Sequence, residues 1–280
     1  MTQKSTSMLH LSDKEIAHFQ KHILDFYREH ERSFAWRNTS DAYHIVVSEI
    51  MLQQTQTDRV AKKYESFLAA FPTVQTLSQA PLSTVIAQWQ GLGYNRRAIA
   101  LKELAQRVVH EFDAIIPSEP DILVTFRGIG PATAASICAF AFNRPTVFIE
   151  TNIRAVFIHH FFKGKTEVHD RDLVPLVAQT LDFSQPRQWY YALMDYGVHL
   201  KKTLVNPSRR SAHHTKQSRF EGSDRQIRGA ILRLLLKEPC ITEESLINEW
   251  QCEENRIQAL LHDLEHEGFI KRTKTGYSLS

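Results

Sequence analysis

The sequence predicts a mainly α protein, a two-lobed all-helical body followed by a small C-terminal winged-helix domain. Three observations carry this. Before residue 220 apolar residues recur at helical spacing, and no alternating β pattern occurs. From His199 to Arg219 the composition changes to a basic stretch with six Lys/Arg and no acid. Three more helical segments and one alternating segment come after it.

The elements follow in order. Ser12 is placed to cap a first helix carrying Ile16, Phe19, Ile23, Leu24 and Phe26. Asp41 to Leu52 is a second, and Val60 to Phe71 a third that stops at Pro72. Ser83 to Trp89 is short and ends at Gly91, while Arg96 to His110 is longer. Beyond the basic stretch, Arg225 to Lys237 is helical up to Pro239, and Thr242 caps Glu243 to Trp250. A further helix carries Ile257, Leu260, Leu261 and Leu264 on one face and stops at Gly268. The closing FIKRTKTGYSLS alternates around Thr-Gly and reads as a β-hairpin. The expected domains are a helical body over 1–200, a basic linker over 201–222 and a winged helix over 223–280.

Composition bounds the chemistry. The chain has 280 residues, 42% of them hydrophobic, which supports a sizeable core and excludes wholesale disorder. Net charge is only +3, so a nucleic-acid surface has to come from local clusters of cations. Cys138, Cys240 and Cys252 form no CxxC pair and no Cys/His array, so neither a disulfide framework nor a metal site is expected. The first residues lack the apolar core of a signal peptide, and no uncharged apolar run reaches the ~18 residues of a membrane span. An intracellular, cytoplasmic protein without membrane contact is expected.

Three segments carry chemistry. In Phe126-Arg127-Gly128-Ile129-Gly130-Pro131-Ala132-Thr133 a turn with two glycines leads into a helix with proline at its first position. Free N–H groups at such a start hold a phosphate without reading sequence, although an ordinary loop–helix junction has the same pattern. About twenty residues on, Glu150 follows an apolar run and opens another helix with Thr151 and Asn152. It is either a carboxylate facing a cationic transition state or a helix cap. The third is His44 to Gln56. It is apolar nearly all round before Gln53, which leaves Glu49 no obvious solvent face. Desolvation favours the protonated carboxyl of a general acid; a buried glutamate satisfied by structural hydrogen bonds is the alternative. Gln53, Gln54, Thr55 and Gln56 then suit base edges or a solvated helix end.

These residues also carry a resemblance. Trp36-Arg37, Tyr43, SEIMLQQTQ over 48–56, Phe71-Pro72-Thr73-Val74, Gly91-Leu92-Gly93-Tyr94, Gly128-Ile129-Gly130 and Leu193-Met194-Asp195-Tyr196-Gly197 occur in that order. From about residue 20 to 200 the chain resembles the MutY adenine glycosylase branch of the endonuclease III (HhH-GPD) superfamily. The resemblance implies a base flipped from double-stranded DNA and cleaved from its sugar. It implies that Glu49 protonates the leaving base, that Gln54 and Tyr94 enter the base stack, and that Asn152 lies near the catalytic acid. The hairpin residues Gly128, Gly130, Ala132 and Thr133, with Gln53, complete the implied DNA contacts.

Four departures from the family pattern follow. Glu150 falls where the family has its catalytic aspartate, one methylene shorter. Ala132 sits where bifunctional relatives carry a Schiff-base lysine, which leaves β-lyase chemistry without an amine. The segment where relatives hold a [4Fe–4S] cluster has no cysteine here, and Lys201 lies near the first ligand position, so no cofactor is expected. A winged helix stands in place of the domain that reads 8-oxoguanine.

The leading expectation is therefore a monofunctional glycosylase removing adenine, or another purine, from a mispair. A uracil or thymine glycosylase and a non-catalytic DNA-binding protein on the same fold are the alternatives. Lys201, Lys202, Arg209 and Arg210 are expected to grip phosphates in place of the cluster-bearing loop. In the winged helix, Glu243, Glu244, Glu249, Glu253, Glu254, Asp263, Glu265 and Glu267 make the second and third helices acidic. Lys271, Arg272 and Lys274 of the wing, or a protein partner, are thus expected to make its contacts, rather than a recognition helix in the major groove.

Overall fold

The computed structural model describes residues 9–215, 219–250 and 254–280; Cys252 and Glu253 lie outside them. Six helices open the chain: α1 (Asp13–His30), α2 (Ala42–Leu52), α3 (Thr57–Ala70), α4 (Val74–Gln79), α5 (Leu82–Trp89) and α6 (Arg96–Glu111). Five follow: α7 (Pro120–Leu123), α8 (Pro131–Phe142), α9 (Thr151–Phe161), α10 (Asp170–Thr180) and α11 (Pro186–Thr203). The C-terminal part holds α12 (Asp224–Leu235), α13 (Glu243–Trp250), α14 (Glu254–His266), β1 (Ile270–Arg272) and β2 (Tyr277–Leu279). The fold is mainly α, and β1 and β2 pair antiparallel with Ile270 opposite Leu279.

The chain divides into two compact units interleaved in sequence. The first comprises residues 1–45, 118–125 and 129–216, and the second 46–117, 126–128 and 217–280.

In the first unit, α1 starts where Ser12 and Glu15 cap each other. The Ser12 N–H donates to the Glu15 carboxylate at 2.8 Å, and the Glu15 N–H donates to the Ser12 hydroxyl at 3.4 Å. Phe19, Ile23 and Tyr27 then bury one stripe of the helix. Helix α8 is apolar all round and buried from Ala134 to Ala141. Helix α11 packs against α9, α1 and α8. Gly197 is what lets α11 approach α9, because a Cβ there falls 2.4 Å from the Asn152 carbonyl oxygen.

Part of the stretch expected from composition to be a basic linker is packed structure. Helix α11 continues to Thr203, Pro207–Arg210 forms a 3₁₀ turn, and Ser211 bridges Val168. Arg210 donates to the carbonyl oxygens of Phe162 at 2.6 Å and Ile158 at 3.1 Å, which closes the C-terminal end of α9. Residues 216–218 of the basic stretch lie outside the described residues.

In the second unit α4 and α5 pack on α6, and α12 packs on α14 and β2. The buried face of α6 runs through Ala98, Leu101, Leu104, Ala105 and Val108. No described helix is long and apolar enough to cross a membrane.

Candidate active site

Helix α2 carries Glu49 between the buried Ser48 and Ile50. Glu49 itself is half-buried, so the expectation that it has no solvent face is corrected. Past Leu52 the chain turns sharply, and Gln54 adopts a left-handed conformation with φ 52°. Gln54 is exposed, while Gln53 donates from Nε2 to the Gly128 carbonyl at 3.0 Å. Tyr94, at the end of the Gly91-Leu92-Gly93 turn, is also left-handed, with φ 47°. Two non-glycine residues in this region mark strained backbone that the surrounding bonds hold in place.

The holding group is Arg97, which the sequence reading did not single out. Its guanidinium is buried and donates to the carbonyls of Ile50 at 2.9 Å, Met51 at 2.8 Å and Gly93 at 3.0 Å. It also reaches the Thr55 hydroxyl at 2.9 Å and the Gln53 and Leu92 carbonyls. Burial lowers its pKa to about 10, so it stays charged at neutral pH. One cation thus satisfies the free carbonyls ending α2 and ties them to the turn bearing Tyr94. The available signal was its position on the apolar stripe of α6, four residues before Leu101.

The hairpin between α7 and α8 has the conformation its glycines require. Gly128 is left-handed with φ 82°, and a Cβ there meets the Ala100 Cβ at 3.1 Å. Gly130 is the N-cap of α8 and Pro131 its first residue. Gly128, Gly130 and Ala132 are exposed, Thr133 is half-buried, and Ile129 between the glycines is buried as an anchor.

In the first unit, Glu150 is the N-cap of α9. Its Oε1 accepts from the N–H groups of Asn152 at 2.8 Å and Ile153 at 3.1 Å, and Asn152 Nδ2 lies 3.3 Å from Oε2. A carboxylate at this end meets the positive end of the helix dipole. Asn152 Oδ1 is buried and has no hydrogen-bond partner among the described residues. Lys201 is half-buried: burial pushes its pKa down, and the Glu150 carboxylate opposes that shift. Lys202 and Arg209 are exposed, whereas Arg210 faces the end of α9.

Also unassigned by sequence reading was the role of Asp195. It is buried and takes a bidentate pair from Arg37, with Nη1 and Nη2 both at 2.8 Å, and a second ion pair from Arg32 at 2.7 Å. This joins the Trp36-Arg37 segment to α11.

A short helix, a two-glycine hairpin and a proline-led helix, set within a mainly helical fold, place the protein in the helix–hairpin–helix class. The family described as HhH-GPD superfamily base excision DNA repair protein matches residues 47–174. Over these residues the chain is similar to that superfamily, and its curated relatives support the resemblance to the MutY-like branch. It is 29% identical over 274 residues to an adenine DNA glycosylase of Mycolicibacterium smegmatis, covering 91% of this chain and 93% of that protein. An adenine DNA glycosylase of Buchnera aphidicola is 31% identical over 185 residues, covering 64% of this chain and about half of the relative, 52%. Among solved structures, a thermostable thymine-DNA glycosylase superposes with TM-score 0.60 at 26% identity, over 66% of this chain and 87% of that one.

Proposed function

We propose that this protein is a DNA glycosylase that hydrolyses the N-glycosidic bond of adenine in a mispair and leaves an intact abasic site. The observation that carries the reading is Glu49, half-buried on α2, the helix whose last carbonyls Arg97 ties to the turn bearing Tyr94. A purine is a poor leaving group, and a proton from Glu49 to a ring nitrogen turns it into a neutral base as the bond to C1′ breaks. The sugar is left cationic. The Glu150 carboxylate is the charge that stabilises it, and a water then adds to C1′ and gives its proton to the Glu49 carboxylate, which restores the acid. Asn152 Oδ1 is an acceptor suited to that water or to the sugar.

The first residues of α8 offer Ala132 and no amine, so imine formation and strand cleavage have no nucleophile there. Residues 139–239 contain no cysteine, and the chain after α11 presents Lys, Arg, Ser and His side chains instead. That donor set does not fit an iron–sulfur cluster, and no step is routed through one. The C-terminal module is read as a winged helix, from three helices followed by the β1–β2 hairpin.

A second reading, removal of a mismatched thymine or uracil, is favoured by the likeness to the thymine-DNA glycosylase. A panel of duplexes with adenine, thymine or uracil opposite each common partner, incubated with protein and then treated with hot alkali, separates the two. Breaks at adenine that vanish in Glu49→Gln, with binding retained, are expected. Breaks only at pyrimidines transfer the assignment, and none at any base overturns both.

A further inference from the structure

Within the second unit, a cleft of about 590 Å³ opens between the Gln90–Arg97 segment and the helices α12 and α14. Arg59, Arg96, Arg97, Arg225, Arg228 and Arg233 line it, against Asp224 and Asp263. Their partners sort them. Arg97 is bound to the carbonyls described above. Arg96 and Arg228 converge on Glu267 just past α14, Arg96 at 2.6 Å. Asp224 is taken by Arg256 at 2.7 Å. Arg225 donates to the Tyr94 hydroxyl at 2.8 Å and lies 5.6 Å from its ring. Arg59 and Arg233 are exposed and have no ion pair among the described residues. Arg59 and Arg233 therefore give the cleft a surplus of guanidinium charge.

The wall has a second peculiarity. Arg225, Gly229 and Arg233 stand four residues apart and form one stripe of α12. A glycine inside a helix costs about 1 kcal/mol relative to alanine. Nothing in the fold requires it here, because a Cβ on Gly229 meets no atom within 4 Å. Its effect is to bare the helix backbone between two arginines.

We propose that this cleft binds the sugar–phosphate backbone of a DNA strand, with Arg59, Arg225 and Arg233 as phosphate ligands and Gly229 as the bare floor. Guanidinium groups meet phosphate oxygens in planar, bidentate geometry, and a polyanion supplies the charge that the two lining aspartates do not. The contact surface of the C-terminal module is then its first helix, not the wing or the acidic helices. Through the Arg225–Tyr94 bond, strand binding is linked to the residue that the MutY-like resemblance assigns to the base stack.

Anisotropy of a labelled undamaged duplex, titrated with the full chain at several salt concentrations, tests this. At about 0.9 per phosphate, Arg59→Ala/Arg233→Ala flattens the slope of log affinity against log salt by roughly 2. It also weakens binding on the order of tenfold at ~0.1 M salt. Gly229→Leu fills the floor without touching a charge and keeps a good helix former, so its thermal midpoint holds while binding weakens comparably. A wild-type slope in the double variant, or wild-type affinity in Gly229→Leu, overturns the proposal. So does an unchanged DNA slope together with loss of competition by polyglutamate, which marks a docking site for acidic protein. The duplex carries no lesion, so failure of the excision reading leaves this measurement standing, and the reverse holds as well.

Discussion

Arg97 donates to the carbonyl oxygen of Met51 at 2.8 Å, and this bond fastens the helix bearing Glu49 to the turn bearing Tyr94. The same guanidinium holds the Gly93 carbonyl at 3.0 Å. The Met51 carbonyl is a buried acceptor near the end of α2, while the Gly93 carbonyl in the glycine turn also accepts from Trp89 Nε1 at 3.1 Å. The strained φ values of Gln54 and Tyr94 persist on either side of this anchor. A rigid general acid depends on a rigid helix end, since about 1 Å of displacement costs on the order of 10²-fold in rate.

Arg97→Met keeps the apolar stem and strands several buried carbonyls. Unsatisfied buried acceptors cost about 1–3 kcal/mol each, partly offset by relaxation, so a loss of about 3 kcal/mol in urea unfolding is expected. Excision should fall more than duplex binding. Arg97→Lys restores the charge but not the planar fork and should recover less than half of either loss. A stable Arg97→Met variant of normal rate removes the anchor from the argument.

Borohydride added during turnover should trap no covalent protein–DNA adduct, because Ala132 has no amine and strand breaks await alkali. Metal analysis of the same preparation should find no stoichiometric iron, given the absence of thiols over 139–239. A trapped adduct points to another lysine, for which the half-buried Lys201 is the first residue to replace.

The basic stretch should divide into two behaviours. Arg210→Ala removes the donor that closes α9 and is expected to cost about 1–2 kcal/mol of stability, with little change in salt slope. Lys202→Ala/Arg209→Ala alters exposed side chains, leaving stability within about 0.5 kcal/mol while flattening the slope by roughly 2. The pair must weaken lesion and undamaged duplexes alike, since phosphate contacts carry no base information. An unchanged slope makes the stretch a structural tie alone.

Much of this fold was legible because its signals are local. Ser12 with Glu15, Pro72 after α3, and the glycines at 128 and 130 each act within a few residues of the element they start or stop. The apolar stripe of α14 likewise announces its helix. What the sequence hid were bonds across long separations. Arg97 looks like a cation stranded on the apolar stripe of α6 until α2, 46 residues earlier, supplies Met51. The bridge from Val168 to Ser211 turns part of a basic linker into packed structure. Glu267 looks like one acid among many until Arg96, 171 residues away, reaches it. Glu49 was legible in position and wrong in degree, because helical periodicity gives a direction and not the depth of the surrounding shell.

His160 sets a pH limit on the first unit. Its ring packs edge-on against Phe19 at 5.1 Å, and its Nε2 lies 3.3 Å from the Tyr196 hydroxyl. Burial, and then the neighbouring positive groups His159, His22, Lys163 and His18, lower its pKa to about 4. The folded protein thus keeps the ring neutral down to about pH 4, while the unfolded chain takes a proton near 6.5. Below 6.5 the unfolded state binds more protons, so the contribution is complete above pH 6.5 and is lost as pH falls toward 4. At pH 5 that difference is about 2 kcal/mol. Urea unfolding at pH 7.5 and pH 5 should show a loss of this order in the wild type. In His160→Phe, which keeps an aromatic ring without a titrating nitrogen, the decline should be smaller by most of that amount. Equal declines in the two proteins assign the acid sensitivity elsewhere.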